Sequence, residues 1–306
     1  MSSLIEQAAR RLEQLRSAGA EMPAGSAPKP TAKVEAVAKP LTATAATVAA
    51  PPAPVSRTVE INMDALIAAG IVSPHAPRSQ IADQFRVIKR PLIANAVGKG
   101  ASVIENGNLI MVTSALPGEG KSFTAINLAL SIATELDYTV MLVDADVARP
   151  SVLSMLGLAP SPGLLDLVVE GSLDLSSVLL KTNIEKLTIL PSGTPHPRAT
   201  ELLASDAMTR LVEDIGSRYS DRIIIFDSPP LLLTTESRVL ATHMGQIVVV
   251  VRADQTLQSD VQNALATIES CPVKLMLLNQ ATASTKGGYG YGYGYGYGYG
   301  KEEHAA

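Results

Sequence analysis

From residue 109 onward the chain is marked by short, continuous apolar runs. LIMVT at 109–113, TVMLV at 139–143, LTIL at 187–190, IIIF at 223–226, IVVVV at 247–251 and VKLMLL at 273–278 are separated by segments of helix length. Strands buried on both faces read this way, because a parallel sheet carries helices above and below it. The alternation predicts an α/β domain with a mostly parallel central sheet in a three-layer sandwich, with its strands between about residues 80 and 281 and domain limits near 59 and 284. Upstream the period changes to that of a helix. Over 79–96, Ile81, Phe85, Ile88 and Leu92 recur on one side, and Asp83, Arg86 and Lys89 recur every third residue on another.

Two flanking regions lack this texture. Residues 3–19 place Leu4, Ile5, Ala8, Ala9, Leu12 and Leu15 at helical spacing among charges, which predicts an amphipathic helix and a possible docking element over 1–19. Between 20 and 55 there are 12 alanines and 7 prolines and no aromatic residue. Such a stretch buries too little surface to offset its ordering entropy, so residues 20–58 are expected to be a disordered linker. At the other end, residues 285–306 carry Gly287, Gly288 and then strictly alternating tyrosine and glycine, a composition that cannot form a packed core and reads as a flexible tail.

Composition narrows the function. With 25 Lys and Arg against 29 Asp and Glu, the chain lacks the basic excess of a nucleic-acid-binding surface, so no nucleic acid is expected as a partner. The single cysteine, Cys271, excludes an intramolecular disulfide framework and a thiolate metal cluster, and its position before a buried strand suggests a packed thiol. There is neither an apolar run of membrane-spanning length nor a leading secretory pattern, so a cytoplasmic protein is expected.

The chemistry is concentrated after three of the apolar runs. The first is followed by Ala115, Leu116, Pro117, Gly118, Glu119, Gly120, Lys121 and Ser122, then by a helical stretch opening at Phe123. Strand, glycine-rich loop and helix in this order form a phosphate-binding loop. Backbone amides over 117–123 would wrap the phosphates, Lys121 would reach the terminal ones and Ser122 would ligate Mg²⁺. The loop opens with alanine where the common pattern has glycine. The second run ends in Asp144, Ala145 and Asp146, and the fourth in Asp227, Ser228, Pro229 and Pro230. A carboxylate at the end of an apolar strand is costly unless it serves a cation, and this edge of an open α/β sheet is where ligands bind. The three sites therefore converge on one Mg²⁺–nucleotide, with Asp227 beside Ser122 as a metal ligand.

The conjunction of ALPGEGKS (115–122), VMLVDADVARP (140–150), IIIFDSPP (223–230), PSGTPHPRATELLAS (191–205) and the tyrosine-rich end resembles the bacterial tyrosine kinases of exopolysaccharide synthesis. It is most similar to their exosortase-associated autokinase branch. The resemblance implies a P-loop NTPase fold, ATP and Mg²⁺ as cofactors, and autophosphorylation of Tyr289, Tyr291, Tyr293, Tyr295, Tyr297 and Tyr299, offered by one subunit to its neighbour in a ring. In the roles so implied, Lys121 neutralises the β and γ phosphates, Ser122, Asp144 and Asp227 serve the metal, and Asp144 or Asp146 orients or deprotonates the attacking phenol. The family's oligomerisation helix is matched by Asp83, Arg86 and Lys89 in charge type only. Partners implied are a homo-oligomer, an inner-membrane chain-length regulator that recruits the protein to the cytoplasmic face, and a protein-tyrosine phosphatase. Two other readings share the fold: a switch ATPase of the ParA and MinD type, whose second loop lysine is replaced here by Leu116, and a non-catalytic ATP-binding adaptor.

Overall fold

A computed structural model of the chain describes residues 57–74, 79–218 and 221–281. These all lie in one compact unit; the expected docking helix and most of the linker fall outside the described residues, as do the six tail tyrosines.

The core is an eight-stranded sheet. Its strands are β1 (Arg57–Val59), β2 (Leu109–Ser114), β3 (Thr139–Asp144), β4 (Leu180–Thr182), β5 (Leu187–Leu190), β6 (Arg222–Asp227), β7 (Gln246–Arg252) and β8 (Val273–Asn279), in the spatial order β1-β4-β5-β3-β6-β2-β7-β8. Every pairing is parallel except β4 with β5. The six expected strands are all present. The other two, β1 and β4, have three residues each and lie together at one edge, too short to register as apolar runs. Arg57 and Thr58, assigned by composition to the linker, are strand residues because their backbone pairs with Leu180 and Lys181 of β4.

Alternate strand residues feed two separate cores, one on each face, which makes the three layers. On one face α1 (Met63–Ala68), α2 (Gln80–Ala96), α3 (Lys121–Ala133) and α4 (Val152–Met155) cover Ile110, Val112, Val140, Leu142, Ile223 and Ile225. On the other, α5 (Leu164–Val169), α6 (Leu175–Val178), α7 (Ala199–Leu203), α8 (Asp206–Arg218), α9 (Glu236–Ala241) and α10 (Gln258–Ala266) cover Met111, Met141, Val143, Ile224 and Phe226. The continuous apolar runs are thus explained by burial from both sides.

Helix α2 starts where expected, with the Ser79 side chain accepting from the Ala82 amide. Its charged stripe is not one surface. Asp83 and Arg86 are exposed and ion-paired with each other, whereas Lys89 is 3% exposed. The Lys89 ammonium donates to the Ser131 carbonyl and to Thr134 Oγ1 at 3.2 Å, and meets Glu135 at 2.7 Å. The cation lies against the last turn of α3, where unpaired carbonyls and the helix dipole favour positive charge. Lys89 is therefore an internal tie between α2 and α3, which corrects its expected place on an oligomerising face.

Candidate active site

Parallel strands bring their C-terminal ends to one edge. Asp144 and Asp227 end β3 and β6, which are hydrogen-bonded neighbours, and they stand directly opposite each other in the register. β2, next to β6 on its other side, runs into the glycine-rich loop. Neighbouring strands, and not proximity in the sequence, assemble the cluster.

The loop is built for close approach. Gly118 and Gly120 have φ of 82° and 92°, a region favoured by glycine, and a β-carbon at Gly120 would meet Asn279 Nδ2 at 2.1 Å. Gly120 caps α3, whose residues from Thr124 to Ala133 are all buried, so the helix N-terminus and its free amides are held rigidly toward the site. Lys121 Nζ lies 2.6 Å from Asp146 Oδ2, 3.3 Å from Ser122 Oγ and 3.8 Å from Asp227 Oδ1. A cavity of about 470 Å³ opens over this group, between Pro117, Gly118 and Lys121 on one side and Arg149, Pro230 and Leu233 on the other.

The carboxylates have different surroundings. Asp146 is satisfied by Lys121 and by the Arg149 amide at 3.1 Å. Asp144 Oδ2 accepts the amides of Ser151 (3.1 Å) and Val152 (3.0 Å), which fixes the start of α4, while its Oδ1 has no hydrogen-bond partner among the described residues. Neither oxygen of Asp227 has one, although the residue is fully buried. Burial, with Asp227 opposite, pushes Asp144 up to about 7; burial pushes Asp227 up to about 6, with the nearby Lys121 ammonium opposing it. Buried carboxylate oxygens without a hydrogen bond are costly, and one ammonium 3.8 Å from Asp227 Oδ1 does not satisfy all three, so a hard divalent cation beside the loop serine would complete them. The residues fit Mg²⁺.

Glu119 is not aimed at this cavity. Its carboxylate, 2% exposed, accepts the Leu116 amide at 2.7 Å and the Thr256 hydroxyl, and lies 3.5 Å from the Arg252 amide. Glu119 thus belongs to the expected phosphate loop through its backbone alone, and its side chain braces the loop from behind. Phe123 likewise packs its ring into the α1–α4 side of the core. Two supports were not anticipated from sequence: Asn279 Nδ2 donates to the Glu119 carbonyl at 2.9 Å, and Gln280 Nε2 to the Gly118 carbonyl at 3.3 Å. The signal was an Asn-Gln pair immediately after the last apolar run.

Known proteins share the sequence and fold that carry this site. A family model described as ParA, NUBPL iron-transfer P-loop NTPase, matches residues 105–278. Tyrosine-protein kinase YwqD of Bacillus subtilis is 30% identical over 206 residues, which cover 67% of this chain and 83% of that protein. The chain belongs to the bacterial tyrosine-kinase family. CpsD of Streptococcus agalactiae, another tyrosine-protein kinase of the family, is 31% identical over 192 residues, 60% of this chain and 81% of its own. Among solved structures the chimerical protein CapA2B2 is 27% identical with a TM-score of 0.57, covering 73% of this chain and 93% of its own. Membership in the family also accounts for the P-loop NTPase fold. Among the described residues no helix is long and apolar enough to cross a membrane.

Proposed function

We propose that this chain is an ATP-dependent tyrosine autokinase that modifies its own C-terminal tyrosine cluster, Tyr289 to Tyr299, in the service of exopolysaccharide polymerisation or export. The observation that carries the reading is the convergence of Lys121 with Asp146 and Asp227 beneath a phosphate loop, in a chain whose sequence gathers six of its eight tyrosines into residues 289–299.

The loop amides and Lys121 bind and neutralise the β and γ phosphates, and Lys121 gives up its ion pair with Asp146 to do so. Ser122, Asp227 and Asp144 would hold Mg²⁺, which when bound would supply charge neutralisation on the phosphate oxygens. The tyrosyl oxygen attacks the γ phosphorus, the bond from γ phosphorus to the bridging oxygen breaks, ADP leaves, and the phenolic proton passes to Asp144 or to the Asp146 freed by Lys121. A phenol near pKa 10 needs such an acceptor, but positioning and charge stabilisation carry most of the rate.

A trans reaction within a homo-oligomer, recruitment to the cytoplasmic face of the inner membrane by a chain-length regulator, reversal by a phosphatase, and descent from the exosortase-associated branch complete the proposal. The expected outcome for Lys121→Met with Mg-ATP is loss of tail phosphotyrosine by on the order of a hundredfold or more, read by mass spectrometry of the intact protein. Undiminished phosphotyrosine would overturn the assignment. The match to the ParA family model favours a switch ATPase as the second reading, which phosphate release without phosphotyrosine would select.

A further inference from the structure

Among the described residues, one edge of the sheet carries no further strand. β8 pairs with β7 on one side, and none of its seven residues is fully buried. Between β8 and α2 runs a groove of about 480 Å³ whose walls include Phe85, Val87, Ile88, Phe123, Leu277 and Leu278. Val87 is 72% exposed, Leu278 66%, and Met276, two residues back on β8, 59%. Apolar side chains gathered beside a free strand edge mark a surface that is covered in the working protein.

The chain carries a matching occupant. Ala281, the last described residue, lines the groove, so residues 282–306 leave the domain at its rim. From 289 to 300 that segment alternates tyrosine with glycine. An extended backbone turns successive side chains to opposite faces, so all six phenols fall on one face and only hydrogens on the other. Residues 280–288, with Gly287 and Gly288 at their end, are ample for the chain to double back against β8, since hairpins close over as few as two residues. Phenol rings would pack on Phe85 and Phe123 while their hydroxyls reach Gln84, Asn279 and Gln280 at the groove's margin.

We infer that the groove between α2 and β8 is a docking site for the chain's own tyrosine–glycine segment, added in cis as a strand on the β8 edge with its aromatic face in the groove. Among the described residues no lysine or arginine lines the groove, so a phosphate on these tyrosines, with its charge of about −1.5 to −2, would find no counter-ion on its walls and the modified segment would leave. Docking itself does not depend on the kinase reading; its release by phosphorylation does. Because Asn279 and Gln280 also hold the phosphate loop, the docked segment sits against the residues that brace the nucleotide site.

Disulfide trapping in the full-length chain, without nucleotide, tests docking apart from catalysis. Val87→Cys combined with Tyr293→Cys should oxidise to an intrachain bond at least about tenfold faster than Leu136→Cys with Tyr293→Cys, because a docked partner has a higher effective concentration than a tethered one. Leu136 is 87% exposed and lies just before β3, at the end of the strands opposite the active site. Cys271 is buried and does not compete. Replacing the other five tail tyrosines by glutamate should lower the Val87 rate to that of the control. Equal rates at Val87 and Leu136 would overturn the inference, as would bonds formed only between chains, whether Val87 to Val87 or Val87 to Tyr293, which would mean that a second copy covers the groove.

Discussion

At the scale of single residues, two carboxylates keep their protons to a higher pH than ordinary aspartates do. Asp144 at about 7 and Asp227 at about 6 both lie above the ordinary value of 3.8. The folded, ligand-free protein therefore binds more protons than the unfolded chain between those limits. Its stability should fall as pH rises from about 4 to 7 and level off above. Urea unfolding across this range measures the slope; Asp144→Asn should flatten its upper part, and an unchanged slope would show that these groups do not set it. Glu119 makes a second prediction. Glu119→Ala strands the Leu116 amide and frees the Thr256 hydroxyl, so it should destabilise by about 1–3 kcal/mol and raise KM for ATP more than it lowers kcat, with partial recovery in Glu119→Gln. Sequence placed Glu119 in the loop correctly, but its side-chain direction depends on Thr256, 137 residues away.

At the scale of elements, the ties between helices and sheet are polar groups buried where the apolar pattern gives no hint of them. Gln246 opens β7 fully buried; its Nε2 donates to the carbonyls of Leu92 (3.0 Å) and Gly107 (2.6 Å), and its Oε1 accepts from Asn95 Nδ2 at 2.9 Å. One amide thus fixes α2 and the turn before β2 against the strand. Gln246→Leu should cost about 2–4 kcal/mol in denaturant midpoint despite its added apolarity, because three partners lose their bonds in a dry interior. Lys89 plays the same part at the end of α3. The period of α2 was legible, since Phe85 and Leu92 repeat as a helix face should. That Lys89 turns inward was not, because the carbonyls it meets belong to another helix.

At the scale of the whole molecule, the first segment is clipped to the domain by side chains far along the chain. Asn183 accepts the Ile61 amide and donates to the Ile61 carbonyl, both at 3.0 Å, and Asn127 Oδ1 accepts the Val72 amide at 2.7 Å. Asn183→Ala should speed amide exchange over 57–61 while leaving nucleotide affinity unchanged; slow exchange there would show that β4 pairing suffices by itself. The sequence alone determined the six long strands, the phosphate loop and the aspartates that close β3 and β6. Burial on two faces and the backbone needs of a phosphate leave local marks in residue type and spacing. Only the tertiary structure decided the strand order that puts Asp144 opposite Asp227, the short edge pair β1 and β4, the inward turn of Lys89 and the bracing of the loop by Glu119, Asn279 and Gln280. Each of those depends on which distant segment lies alongside, and a contact between distant segments leaves no periodic trace in either one.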